Sequence, residues 1–540
     1  RHLKAEGFNG VFGAIAQLPW DEPCGDGALC DPVAQAAQEA VQAFGMVVVA
    51  AAGNAGARGE QAFPTKNSIS SPATAPGVIA VAATTNSRQL QQSIVYSGGR
   101  VPALSGVGPE LLSPLTADAR DAVRFGDSRA CSPFGSRVFD GAIAVIDRGG
   151  CEPEFKVDHA ARAGAVAVIM TNSEGRDDPE VLLNLETTDI PAYTIGHAEG
   201  LRLVEFLERT ASPRVTLDSG LRPVAFASDQ VAPFSSRGPG VGGELKPDIA
   251  APGTFIYSAA QRFDSNGDGY SQSGFEQVDG TSFAAPFVAG AAALVWQANP
   301  TFTALQVKSA LVNTAELAVI EDGREASVTA VGGGLLDARA ALEPVATVEP
   351  ATLSFGDLRG RVLPLEQTIA IDNPTGNTAT FRIAVVERTG NNLARLRVDG
   401  ATTASVQIRA GERATLRVSL SGQRPAAGEY EGFLRVSRDG GGRDLLVPYY
   451  YAVGDGVPHN AFVLAGTGVV GTVDEPHPEL LIFKVVDRYG QPVANSNVAW
   501  DVLDGGGRIV AADPSTDAYG IAAADVDMGP DPGFQDFLAR

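Results

Sequence analysis

The stretch VDGTSFAAPFVAG, residues 278–290, places a serine, Ser282, between Gly280-Thr281 and a run of small residues broken by Pro286. The run continues through Ala289, Gly290 and Ala291 to Ala293 as far as Trp296. Such a composition suits a helix packed tightly on all sides, where large side chains have no room. Pro286 is expected in the first turn, where a missing N–H does no harm. Ser282 then falls at or just before a helix N-terminus, where unpaired backbone N–H groups and the dipole favour negative charge. Gly280 leaves the backbone room for a tight turn into the helix. A nucleophile that attacks a carbonyl creates such a charge on oxygen. A plain serine N-cap on a buried helix has the same local signature.

The segment VVVAAAGN speaks for the chemical alternative. Val47 to Ala52 is too apolar for an exposed edge and is expected as a buried strand. It follows DPVAQAAQEAVQAFG, a helix pattern with Asp31 as cap, Pro32 at its first position and Gly45 at its stop. Helix followed by buried strand is the grammar of a parallel α/β sheet. Asn54 ends the strand, where α/β sheets present functional groups, and its amide can donate to an oxyanion.

Here the chain resembles a known family. GTSFAAPFVAG resembles the active-serine signature of the subtilisin-like serine proteases (subtilases, peptidase S8), and AAGN their oxyanion-asparagine segment. SISSPATAPGVIAVAAT (68–84) is similar to the substrate-side segment that follows. FSSRGP (234–239) and ELKPDIAAPGTFIYSA (244–259) resemble the approach to the serine, and VGGGLLDARAAL (331–342) the closing segment. The resemblance implies Ser282 as acylating nucleophile, with Asn54 and the Ser282 N–H as oxyanion donors. It also implies substrate contacts at Gly53, Ser71, Gly280 and Thr281.

A serine needs a base and a carboxylate to orient it. The family places an aspartate and then a histidine upstream of the asparagine, the histidine in an H-G-T-like motif. None of the five histidines has that context: His2, His159, His197, His459 and His477. Asp147 and Asp218 sit in tempting strand-end settings, but both follow Asn54. Residues 13–24, GAIAQLPWDEPC, carry Gln17-Leu18-Pro19 where the family has its substrate-pairing strand. The expectation is an N-terminally truncated chain, with the aspartate and histidine encoded before Arg1. This polypeptide is then an inactive fragment of an active parent.

The 540-residue length argues for several domains. The expected layout is a first catalytic segment at 1–102, an insertion at 103–224 and a second catalytic segment at 225–344. A β-sandwich at 345–455 and a second β module at 456–540 follow. The insertion alternates strand, small-residue helix and strand over 139–172 and resembles a protease-associated (PA) domain, α+β in class. It is read equally as a substrate gate or as a passive insertion. The sandwich, with period-two strands such as TIAIDN and ATLRVSL, resembles a fibronectin-III-like domain. The last module resembles a bacterial Ig-like domain of the Big-1 type, and such modules act as spacers or adhesive arms.

A net charge of −22 excludes partners that need clustered cations, nucleic acid and anionic membrane among them. No apolar run is read as membrane-spanning. The four cysteines form two local pairs, Cys24/Cys30 and Cys131/Cys151, which suit two disulfides in a secreted or cell-surface protein. Four reduced, buried cysteines are the other reading. DSNGDGY offers Asp264, Asn266 and Asp268 before Gly269, as a calcium loop would. However, Phe275 stands where the bidentate acid belongs, which favours a solvated turn. No cofactor is required by the chemistry, and calcium is kept as a possible structural ion.

The expected function is that of a secreted serine endopeptidase acting on proteins or peptides, with surface or matrix ligands for the Ig-like module. The alternative is an extracellular binding or adhesion protein on a degenerate protease core.

Overall fold

The structure is a computed structural model. It describes residues 32–56, 66–106, 108–135, 137–177, 188–240, 242–264, 269–466, 476–530 and 535–540. Positions 179, 185 and 472 and the short strands Pro23–Cys24 and Ala28–Leu29 are also described. Asp31, Cys30, Asn266, Asp268, His2 and Gln17 to Pro19 lie outside the described residues. The chain divides into two compact units: Ser87–Ala227 with Phe255–Val278, and the remainder.

The larger unit is built on three parallel strands, β1 (Val49–Ala51), β2 (Ile79–Thr84) and β3 (Ile249–Pro252), ordered β3-β2-β1. Val49 lies opposite Ile79, and Ile249 opposite Val81. Alternation on β2 assigns its two faces. Ile79, Val81 and Ala83 pack under the helix Thr281–Ala298, with Ala284, Ala285, Val288 and Val295. Ala80 joins Ala50 beneath Ala34 and Ala37 of the helix Pro32–Gln42. The result is a three-layer α/β/α core. Gly45, at φ +64°, ends the segment after that helix, as a helix stop should.

Two expectations need correction here. Of β1 only Ala50 is buried, and among the described residues β1 is the edge strand. The helix at 281–298 is not enclosed on all sides either. Ala284, Ala285, Val288, Ala291, Ala292 and Val295 form its buried face, while Phe287 and Leu294 stand 47% and 52% exposed on the other. Small residues permit close packing on every side, but the three strands occupy only one. By length and composition this helix could cross a membrane, yet its buried face belongs to the core.

Nine strands between Thr347 and Val453 form a four-stranded and a five-stranded sheet around one apolar core. A last set of strands, from Asn460 to Ala539, makes a four-stranded and a two-stranded sheet. The nine-stranded set packs against the three-layer core. Leu245 and Val328 share a buried cluster with Phe433, Tyr450 and Ala452 of the nine-stranded module. The nine-stranded module is therefore packed against the core through a covered apolar face of its sheet.

The smaller unit is a closed seven-stranded barrel with helices Pro153–Arg162 and His197–Arg209. Strands Leu115–Asp121, Ile143–Asp147, Ala167–Thr171 and Ala192–Ile195 run parallel in that order, and the other pairs are antiparallel. Two of its strands, Arg88–Tyr96 and Gly99–Ser105, begin before the boundary drawn at 103. They belong to the barrel because Arg88 to Val95 pairs with Ala225 to Thr216, closing it.

Cys131 and Cys151 form a disulfide across a sequence separation of 20, with Cα atoms 5.7 Å apart. Closing a loop of that size in the unfolded chain contributes about 3 kcal/mol. A Cys131→Ala/Cys151→Ala double variant is expected to lower the barrel's stability by about that amount. Urea unfolding of the barrel unit checks this, and an unchanged midpoint would sink it.

Candidate active site

The helix Thr281–Ala298 starts one residue before Ser282, with Gly280 as its N-cap at φ +155°, ψ +152°. That backbone region is essentially open to glycine alone. The Gly280 N–H donates to the Gly253 carbonyl at 2.8 Å, so the turn into the helix is tied to the end of β3. Ser282 is the second helical residue, and its N–H belongs to the first turn, where no carbonyl four residues back is available. Pro286 lies beyond that first turn, a further correction. Because the helix starts at Thr281, the proline removes the bond that would otherwise reach the Ser282 carbonyl.

Asn54 follows β1 and is exposed, while Thr281 is fully buried. The Asn54 Oδ1 accepts from the Thr281 N–H at 3.0 Å and from the Thr281 hydroxyl at 2.8 Å. The Thr281 Oγ1 in turn accepts from the Gly53 N–H at 3.2 Å. With its oxygen taken up twice, the carboxamide is fixed, and its NH2 lies beside the turn at Gly280, 3.5 Å from where a Gly280 Cβ would stand. Thr281, expected only as a substrate contact, is thus the residue that sets the Asn54 amide.

Two serines of FSSRGP complete this loop, and the sequence reading missed both. The Ser236 N–H donates to the Gly53 carbonyl at 2.8 Å, and its hydroxyl accepts from the Ala55 N–H at 3.0 Å. Ser235 Oγ accepts from the Ala83 N–H at 3.0 Å at the end of β2. Gly53, at φ +109°, has no room for a side chain, since a Cβ would stand 2.3 Å from Ser70 Oγ and 2.7 Å from Ser236 Oγ. Ser70 donates its N–H to the Ala52 carbonyl at 2.9 Å, so it is Ser70 that joins this loop. Ser71, half-buried, follows it and precedes Pro72. The only signal for these roles was the pairing of serines in SISSP and FSSRGP.

Beneath the site lies a buried charge cluster. Asp248 accepts from Lys246 Nζ at 2.8 Å and from Lys308 Nζ at 2.7 Å, and its Oδ2 also takes the Ala80 N–H at 2.8 Å. Lys246 further donates to the carbonyls of Ala75 and Val78, and Lys308 to those of Pro76 and Val78. The turn leading into β2 is thereby clamped. Burial opposes ionisation of Asp248, but the two ammonium groups hold its carboxyl below the usual range. Burial pushes Lys308 down to about 7 against the pull of Asp248.

Among the described residues no histidine bonds Ser282. His159 Nδ1 and His197 Nδ1 pair with the carbonyls of Ala130 and Asn172. His459 and His477 lie at strands of the last module. Asp147 accepts from the Thr171 hydroxyl, and the carboxyl of Asp218 is held below its usual range, first by its hydrogen bond from Arg100. The exposed Asp264 donates its backbone N–H to Gln261 Oε1, which caps the turn. The described residues contain no group of three His, Cys, Asp or Glu able to hold a metal.

An exposed asparagine amide close to a serine in the first turn of a helix, at the ends of parallel strands, is an arrangement suited to receiving an oxyanion. The sequence pattern of the subtilase family matches residues 20–339, more than half of the chain, and the chain belongs to that family. It is 28% identical over 424 residues to the minor extracellular protease Vpr of Bacillus subtilis (strain 168), covering 75% of this chain and 48% of that protein. It is 27% identical over 500 residues to the PIII-type proteinase of Lactococcus lactis subsp. cremoris (strain SK11), covering 80% of this chain and 24% of that protein. The chain thus spans half or less of these curated relatives. The subtilisin-like protease Apa1 of the Antarctic psychrotroph Pseudoalteromonas sp. AS-11 overlaps 56% of this chain and 66% of its own, at 18% identity and a TM-score of 0.28.

Proposed function

We propose that this chain carries the nucleophile and oxyanion site of a secreted serine endopeptidase that cleaves protein substrates. Ser282 attacks the peptide carbonyl and forms an acyl-enzyme, which water then hydrolyses. Asn54 Nδ2 and the Ser282 N–H receive the oxyanion. The histidine that accepts the Ser282 proton, and the aspartate that orients it, are to be sought in the full-length gene product. The barrel is read as a PA domain, and the two β modules as fibronectin-III-like and Big-1 Ig-like.

The observation that carries this reading is the Asn54 carboxamide, held oxygen-inward by Thr281 one residue before Ser282. A binding protein with a degenerate core has no use for an amide donor fixed beside that serine. A fluorophosphonate probe applied to the full-length natural protein tests it, since such reagents modify only activated serines. Labelling is expected at Ser282 and absent in Ser282→Ala. A full-length protein whose Ser282 stays unlabelled would leave the adhesion reading in its place.

A further inference from the structure

We infer that the C-terminal β module, through Lys484, positions the oxyanion loop of this chain. The inference rests on the proposed role of Asn54. Lys484 lies on the strand Pro476–Val486 and is 2% exposed, yet its Nζ leaves its own module to donate to Asn67 Oδ1. Asn67 is equally buried and adopts φ +59°, a left-handed conformation that asparagine tolerates. Its Nδ2 donates to the carbonyls of Pro239 and Gly240 at 3.1 and 3.0 Å. The carboxamide thus receives Lys484 on one side and holds the 237–240 segment on the other.

From Asn67 the path to Asn54 is short and made of backbone bonds. The Ser68 N–H donates to the Arg237 carbonyl at 2.9 Å, and the Arg237 N–H returns to Ser68 Oγ at 3.1 Å. Two residues on, Ser70 binds Ala52, while Ser236 binds Gly53 and Ala55. Segments 66–70 and 235–240 therefore flank Gly53-Asn54-Ala55 on both sides, and Asn67 joins them at the far end. The two β modules grip that end together. Glu429 of the nine-stranded module pairs with Lys66. A Cβ on Gly490 of the last module would stand 2.5 Å from Lys66 Cβ, so the Lys66 side chain lies against the Gly490 backbone with no spare room.

The test uses the full-length protein and two readouts. Lys484→Met is expected to lower kcat on a peptide substrate about 10-fold with KM changed less than about two-fold, as for a loss confined to the transition state. It is also expected to raise amide exchange at Ser68 and Ser70 about 10-fold without changing the barrel strands. Gly490→Ala, pressing on the same segment from outside, is expected to reproduce both effects. Arg359→Met removes another tie to this module, its bond to the Pro492 carbonyl, without touching Asn67 and is expected to do neither. If Arg359→Met matches Lys484→Met, general loosening is the cause and the inference falls. If wild-type protein turns over substrate and Lys484→Met leaves kcat and exchange unchanged, the inference falls while the proposed function stands. If the wild type shows no turnover, the proposed function fails, and exchange at Ser68 and Ser70 alone decides whether the module is coupled to the loop.

Discussion

Asn54→Leu in the full-length protein is expected to lower turnover about 100- to 1,000-fold, a barrier increase of roughly 3–4 kcal/mol. The size is that measured for the corresponding asparagine of subtilisin, the family's namesake, and is carried over on membership in that family. Leucine keeps the shape of the side chain and removes both the donor and the oxygen that accepts from Thr281. The Asn54 NH2 meets a negative charge that exists in the transition state and not in the bound substrate, so kcat falls while KM changes little. Thr281 makes the effect this large. By occupying Asn54 Oδ1 with two donors, it spares the reaction the cost of turning the amide. A change of less than about 10-fold, measured by steady-state kinetics on a peptide substrate, would remove Asn54 from the oxyanion site.

Asp248→Asn is expected to destabilise the catalytic core by about 3–5 kcal/mol, because it strands two buried ammonium groups without their anion. Lys246, Lys308 and Asp248 are all nearly or fully inaccessible, so solvent does little to screen them. The pH dependence has a definite sign. The Lys308 ammonium is held down to about 7 in the folded protein, below its value in an unfolded chain. Between about pH 7 and 10 the unfolded state therefore binds more protons, and stability rises with pH by a few kcal/mol. Asp248 acts in the acid window with the same slope. Its carboxyl is held below the ordinary range, so its contribution is lost as pH falls through the folded value. Lys308→Met is expected to abolish the alkaline rise and to weaken the acid loss without removing it, since Lys246 still pairs with Asp248. Urea titrations followed by Trp296 fluorescence, with Trp20 and Trp500 replaced by phenylalanine, measure both. An alkaline rise that persists in Lys308→Met would assign it to another group.

The glycines and small side chains made the core legible. Gly280 before the serine and Gly45 after the first helix mark backbone turns that few residues can adopt, so their meaning survives without coordinates. Ile79–Thr84, a nearly continuous apolar run, is buried throughout. Pro286 misled by one turn, since the start of a helix depends on which residue caps it, and Gly280 does so without a side-chain bond. Val47 to Val49 misled because hydrophobicity records what a strand can bury, and the neighbours decide how much of it is buried.

Local sequence alone determined the family and singled out Ser282 and Asn54 as its candidate nucleophile and oxyanion donor, because the turn before Ser282 and the end of β1 each demand particular residues within a few positions. It could not show that Thr281 orients Asn54, that Ser236 and Ser70 flank Gly53, or that Lys246, Asp248 and Lys308 neutralise one another. Nor could it show that Lys484 reaches Asn67 across 417 positions. Those contacts join residues far apart in the chain, and each exists because a buried polar group must find its partner wherever the fold brings one within reach.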